Sequence, residues 1–411
     1  MFPVTLPFFI ARRYLIKQKG AFSTFIIRLA IIATALSVAV MIMALAVVSG
    51  FREAISEKLF SFMGHVQVRQ FNETGSSSFG SNEPILATPT LFNSLQKAQH
   101  VKAVYPYVIR PVILQANGLL EGLQMKGVDH NYRFDHAITT SGTPITFADS
   151  SYSRDMLLSR TTAEKLNINI GDSVLVNFID QSGPRIRKMR ISGLYHSGME
   201  DMDKFYAVCD IRLLQRINNW PADSINGYQL VLDAPENADT VASYIYYSVI
   251  EAPVAVYTTT ETYTFIFDWL QIQGVNSTVL IVIMAIVAII NLAAALIILI
   301  VDRSVMIGLL KAMGMPYNSL RNIFLCMAAI VGGTGIFLGN VLALGMYWLQ
   351  TRYGIVKLPE NSYYMRFAPV KLSFPEILAV DAGTMLLCLF CMWLPTLYIR
   401  RVQPSRVLQF K

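Results

Sequence analysis

Charge is scarce in this chain of 411 residues: Asp, Glu, Lys and Arg make up 15%, where soluble chains average about 25%. Hydrophobic residues reach 54% and the mean hydropathy is +0.44, which excludes a disordered chain and argues against an ordinary soluble enzyme. The machinery of phosphate chemistry is missing too. No Gly-x-x-x-x-Gly-Lys-Ser/Thr occurs, so the chain has no P-loop for ATP. Gly333-x-Gly335 with Gly339 imitates a dinucleotide fingerprint, but it follows no strand and has no acidic partner downstream. His65, His100, His130, His136 and His196 are the only histidines, and they show no metal-ligand spacing. Cysteine is nearly as rare. Cys326, Cys388 and Cys391 fall in apolar runs, which leaves Cys209 alone elsewhere and excludes an internal disulfide there. Cys388 and Cys391 are helical neighbours one turn apart in an apolar run, where a thiolate is costly. Glu200, Asp201 and Asp203 read as a solvated turn. No nucleophile is paired with a base, so no catalytic, cofactor-binding or metal residue is expected.

What is present is apolar length. Four stretches run without charge: Leu29 to Phe51, Trp269 to Val301, Asn322 to Gln350, and Ala382 to Ile399. A membrane helix needs roughly 20 apolar residues, so all four qualify as spans. The second is too long for a bilayer, and its Gln271, Gln273, Asn276 and Ser277 point to a stalk outside it. The first keeps a helical pattern beyond Gly50, through Arg52 to Leu59. Ala44-Leu45-Ala46 mimics a signal-peptide cleavage site, but the basic region before it and the apolar run are both too long, and a retained helix is expected.

Charge sign follows the same division. Residues 51–270 hold 23 of the 27 acidic residues and 18 of the 34 basic ones, a net of −5, against +12 for the rest. Arg12, Arg13, Lys17, Lys19 and Arg28 precede the first span, Arg303, Lys311 and Arg321 flank the inner loop, and Arg400, Arg401, Arg406 and Lys411 end the chain. The positive-inside rule makes these segments cytoplasmic and 51–270 external. Cations so dispersed do not form a nucleic-acid patch. Asp381, near the outer end of the last span, is at a depth where it reaches water.

The expected layout is an amphipathic elbow at 1–28, a span at 29–51 and an outer α+β domain with helical stalks at 52–268. A stalk and span at 269–301, an inner helix segment at 302–321 and a span at 322–350 follow. An outer loop at 351–377, a span at 378–399 and an inner tail at 400–411 complete it. The outer domain shows β-like alternation at 65–69, 107–114, 173–178 and 228–232, with Asp180-Gln181-Ser182-Gly183-Pro184 as the turn of a hairpin. Helical patches at 161–166 and 236–249 lie between, and two lobes are expected. Asn72 to Glu83 reads as a polar surface loop, and its Asn72-Glu73-Thr74 triplet carries no weight as a glycosylation sequon.

Two segments carry functional weight. Gly335-Ile-Phe-Leu-Gly339 has the small-xxx-small spacing that lets membrane helices approach closely. Asp302 to Pro316 reads as a short amphipathic helix ended by Gly314 and Pro316. Met306, Leu309, Leu310 and Met313 form its apolar side, with Gly308 and Lys311 between them. Such a helix suits a groove in a cytoplasmic partner. The alternative is a helix resting on lipid headgroups.

Taken together, "ARRYLIKQKGAFSTFI", "VVSGFREAISEKLFSFMGHVQV", "LLSRTTAEKLNINIGDSVLVNF", "DRSVMIGLLKAMGMPYNSLRNIF" and "WLPTLYIRRVQPSRVLQFK" resemble the LolC/LolE family of lipoprotein-releasing permeases. This family belongs to the FtsX/MacB-type (type VII) ABC permeases, and the likeness extends over nearly the whole chain. The resemblance implies an α-helical membrane protein with four transmembrane helices and a large extracytoplasmic, MacB-like α+β domain between the first and second. It implies a bacterial inner-membrane subunit, not itself an enzyme and binding no cofactor, that works with a cytoplasmic ABC ATPase dimer holding ATP and Mg. It also implies a second permease, identical or paralogous, a lipoprotein substrate and a periplasmic carrier. Residues 306, 308–311, 313 and 314 would engage the ATPase. Met41, Met43, Val47, Phe265, Phe267, Trp269 and Ile272 would supply an apolar cavity for acyl chains. The chain departs from the family where many members carry an acidic residue at the position of Met306, and in a 173–196 hairpin shorter than the LolC hook. FtsX-like mechanotransmission to a cell-wall hydrolase, and MacB-like efflux with the ATPase in trans, are the alternatives.

Overall fold

The computed structural model describes residue 9 and residues 21–71, 83–134, 138–147, 151–179, 183, 185–302, 304–359, 363, 365 and 367–396. Most of the expected elbow, the 72–82 part of the polar loop, most of the Asp180–Pro184 turn, Arg303, residues 397–399 and the tail lie outside these residues. The chain divides into two compact units, Met1–Arg52 with Leu270–Lys357 and Phe367–Lys411, and Glu53–Trp269 with Leu358–Arg366.

Helix α1 (Ala21–Met63) has 43 residues and so a length of about 65 Å, roughly twice a hydrocarbon core. It outruns the charge-free 29–51 stretch at both ends because no proline or polar cluster stops it. Gly64 ends it at φ +74, where a Cβ would lie 2.9 Å from the Leu230 carbonyl oxygen.

The outer unit follows. Its elements are β1 (Val66–Gln70), β2 (Ile85–Leu86), α2 (Pro89–Lys97), β3 (Val101–Ala116), β4 (Leu119–Val128), β5 (Thr139–Gly142), β6 (Asp155–Ser159) and α3 (Arg160–Leu166). Then come β7 (Ser173–Phe178), β8 (Arg185–His196), α4 (Glu200–Phe205), β9 (Tyr206–Asp210), α5 (Ile211–Ile217), β10 (Ser224–Ile225), β11 (Gly227–Leu232), α6 (Ala238–Ser248), β12 (Val254–Thr258) and α7 (Thr259–Thr262). Local sequence sets several boundaries. Thr88 caps α2 by accepting from the Leu91 amide, and Pro89 occupies the first turn, where its missing N–H costs nothing. Asn117 and Gly118, both at positive φ, make the two-residue turn that pairs Ala116 with Leu119. The β7–β8 hairpin forms in the register Ser173 to Arg190 through Phe178 to Arg185.

The two expected lobes are instead one ten-stranded sheet, ordered β12-β1-β11-β3-β4-β9-β6-β8-β5, with β7 pairing both β3 and β8. The 16-residue β3 is the reason: it is long enough to pair with β11, β4 and β7. One hydrophobic core runs along the sheet, from Val66 and Leu230 through Met125 and Phe178 to Leu214. This core stabilises the unit without an internal disulfide, since Cys209 is its one cysteine.

The membrane-type unit contains α8 (Thr264–Asp302) from Leu270 onward, α9 (Ser304–Ala312), α10 (Tyr317–Tyr353) and α11 (Phe374–Thr396). Among the described residues, three helices are long and apolar enough to cross a membrane: Thr24–Met63, Thr264–Asp302 and Tyr317–Tyr353. Helix α11 has 23 described residues and carries Glu376 and Asp381. Leu292, Leu299, Phe324, Met327 and Cys388 share one buried cluster of this unit. Val38, Met41, Ile42, Ile336 and Ala343 share another.

Candidate functional site

The inner helix α9 is terminated by backbone geometry. Gly314, at φ +83, donates to the Lys311 carbonyl, and Met315 donates to the Leu310 carbonyl, satisfying groups that a helix end leaves orphaned. Pro316 then starts α10. The four apolar residues expected on one side of α9 divide between two. Ile307 and Gly308 are buried, and Met306 and Leu310 pack against the cluster around Leu299 and Phe324. Leu309 and Met313 point away from it, 52% and 68% exposed, and Val305, 59% exposed, extends them into a stripe at four-residue spacing. Lys311 lies half-buried beside that stripe. Val305, Leu309 and Met313 thus form an exposed apolar edge of α9.

Gly335 and Gly339 lie where α10 meets α1. A Cβ on Gly335 would stand 2.8 Å from Thr34 Cβ, and one on Gly339 would stand 2.8 Å from both the Ala35 carbonyl oxygen and Val38 Cβ. Only glycine permits that approach. Nearer the other end of α1, Ser49 Oγ donates to Glu376 at 3.2 Å, and Asn340 Nδ2 donates to Asp381 at 2.7 Å. Helices α10 and α11 thus join through a polar pair that the sequence reading left as an isolated aspartate.

The residues expected to line an acyl-chain cavity sit in different settings. Met41 is buried against α10, and Met43 packs on the same cluster. Val47 is half-buried. Ile272 is exposed and continues into the exposed row Val275, Val279, Val282, Ile283, Ile286 and Ile290 along α8. In the outer unit Phe265 is exposed, Trp269 is half-buried, and Phe267 stacks on Phe60 with ring centroids 6.0 Å apart.

Two outer-unit features escaped the sequence reading. Asp203, expected on a solvated turn, is buried, accepting from the Ser197 amide at 3.0 Å and the Ser197 hydroxyl at 2.7 Å. Asp203 lies on α4, which turns it back onto Ser197 and so satisfies those donors. Lys126 is 1% exposed on β4 and donates to Gln229 Oε1 at 2.6 Å and to the Phe62 carbonyl in the last turn of α1. A cation there is favoured by the helix dipole. The Phe62 and Tyr132 rings lie beneath its ammonium at 4.7 and 5.1 Å. Burial pushes the Lys126 amine down to about 7. Among the described residues, no cluster of His, Cys, Asp and Glu is placed to hold a metal ion.

Two family matches cover the chain. The MacB-like periplasmic core domain matches residues 28–247, and the FtsX-like permease C-terminal family matches residues 278–404. The chain is 23% identical, over 98% of both chains, to the lipoprotein-releasing system transmembrane protein LolC of Xylella fastidiosa. It is 23% identical to LolE of Haemophilus influenzae, over 98% of this chain and 99% of that one. It is 21% identical to LolC of Neisseria meningitidis, over 99% of this chain and 100% of that one.

Proposed function

The chain belongs to the MacB-like periplasmic core domain family, and on that premise we propose that it is the permease subunit of an ATP-driven lipoprotein-releasing complex of the bacterial inner membrane. One observation carries this reading: relatives named for lipoprotein release align with it end to end, outer domain and permease region together. In this reading α11 is the fourth span. Its two carboxylates are paired to Ser49 and Asn340 within the membrane-type unit, which lowers the cost of carrying them near a bilayer. Both termini and α9 are cytoplasmic, and the acidic outer unit is periplasmic.

The chain itself does no bond chemistry. A separate ATPase dimer binds ATP and Mg, and the exposed Val305–Leu309–Met313 stripe inserts in its groove, with Gly314 fixing how far α9 projects. Helix α8 buries only 18% of its most apolar stretch within the chain, so a second permease, identical or paralogous, covers part of the rest. The lipoprotein's acyl chains lie against the remainder, along the exposed apolar row from Val279 to Ile290, with Ile272 and Val275 set among the exposed polar side chains of Gln271, Asn276 and Thr278. Helices α1 and α8, at 43 and 39 residues, are long enough to carry a displacement beyond the bilayer. A periplasmic carrier accepts the released protein.

Depletion of the protein tests the reading. Mature outer-membrane lipoproteins are expected to accumulate in the inner-membrane fraction, before any change in cell separation. Normal lipoprotein sorting together with failed cell separation would replace the reading with mechanotransmission to a cell-wall hydrolase.

A further inference from the structure

The root of the outer unit encloses two cations without a counter-charge. Arg69 on β1 is 7% exposed and Lys126 on β4 is 1% exposed, and both line one cavity. The end of α1 at Met63 and the Thr262–Tyr263 link before α8 line it as well. Among the described residues, no carboxylate does. The guanidinium of Arg69 stacks over Tyr257 at 4.5 Å, yet its Nε is buried and makes no hydrogen bond. An arginine stays charged at any physiological pH. A buried donor left unmade costs the full desolvation of that group. A unit that is acidic overall therefore carries, at this root, a positive pocket that none of its described lining residues neutralises. The free volume is about 20 Å³, room for about one water-sized guest.

We infer that this pocket is a binding site for a small monovalent anion of chloride's size, held between Arg69 and Lys126 at the point where both long helices join the outer unit. A free volume this small favours a compact ion over a larger oxyanion such as sulfate. The site is independent of what the permease transports.

Protonation decides the affinity. The groups facing Lys126 are Arg69 from β1, Tyr107 from β3, Tyr132 after β4, Tyr206 from β9 and Tyr263 before α8; α1 and β11 contribute only neutral groups, Phe62 and Gln229. Burial pushes all four tyrosines up, Tyr107 to about 12, so they stay neutral near pH 7. Lys126, lowered from 10.5 to about 7, is the group that titrates. Below pH 7 it is charged and attracts the anion; above, it is neutral and does not. With no small anion present the sign reverses. The unfolded chain then holds one more proton between pH 7 and about 10, so stability rises with pH across that window.

The test is the thermal midpoint of the full chain in detergent, in gluconate buffers of fixed ionic strength with chloride introduced stepwise. Chloride and bromide are expected to raise the midpoint saturably at pH 6, and sulfate to show no saturable effect. Between pH 6 and pH 8 the apparent chloride affinity is expected to fall by about tenfold, following the charged fraction of Lys126. Lys126→Met is expected to abolish that pH dependence, and Arg69→Leu to weaken chloride at both pH values by at least about tenfold, the worth of one charged partner. A response to chloride that never saturates, or one that survives unchanged in both variants, would overturn the assignment. Should either variant fail to fold, the pH and halide arms on the unaltered chain decide alone.

Discussion

Leu309→Asp is expected to abolish copurification of the cytoplasmic ATPase while leaving the permease folded. Leu309 is 52% exposed on α9, so a charge there disturbs little inside the chain, and exposed substitutions cost roughly 0.5 kcal/mol or less. In a partner's groove the same carboxylate is desolvated at the centre of the contact. Loss of a central apolar anchor costs at least about 2 kcal/mol, roughly thirtyfold in affinity. Leu310→Asp is the informative contrast. Its side chain packs on the cluster around Phe324, so it is expected to lower the thermal midpoint of the permease itself. Should Leu309→Asp retain the ATPase at wild-type levels, α9 would be a helix resting on headgroups and not a coupling element.

Gly339→Val is expected to be among the most destabilising single changes in the membrane-type unit. The new Cβ would stand 2.8 Å from a backbone oxygen of α1, which cannot rotate away as a side chain can. Two helices would have to separate, at a cost of roughly 1–3 kcal/mol or more. Gly345→Ala is the control on the same helix. Nothing lies within 4 Å of its Cβ, and replacing a helical glycine by alanine gains roughly 0.5–1 kcal/mol. Thermal unfolding in detergent separates the two: a large drop for Gly339→Val and none for Gly345→Ala. Equal effects would mean that Gly335 and Gly339 are ordinary membrane glycines.

These contrasts mark where the sequence was legible. Bilayer thickness makes an apolar run of more than 20 residues readable without any knowledge of packing, as at Leu29 to Phe51. The β7–β8 hairpin was readable from alternation flanking a Gly-Pro turn, because a half-buried sheet imposes a period of two. Asn117-Gly118 went unread despite being a strong hairpin signal, hidden within long apolar strands on both sides. Helical period alone cannot say which of two apolar stripes on α9 faces inward; that depends on α10, so Met306 and Leu310 were grouped with Leu309 and Met313. Lys126 was illegible for a different reason. Residues 123 to 128 of β4 are all buried, so the strand shows no alternation to mark its inner face. What holds the lysine there is Gln229, 103 residues away, and a helix-end carbonyl. Asp203 likewise reads as solvent-facing until the turn that wraps it is known.

Reconstitution tests the central claim most directly. The permease, its paired permease and the ATPase, placed in proteoliposomes with an acylated lipoprotein, should release that lipoprotein to a soluble carrier on addition of ATP and Mg. Leu309→Asp should reduce release at least about tenfold while the protein still inserts, in proportion to its lost hold on the motor. Release that proceeds at the same rate without this chain, or ATP turnover that the chain stimulates with no transfer of lipoprotein, would contradict the account.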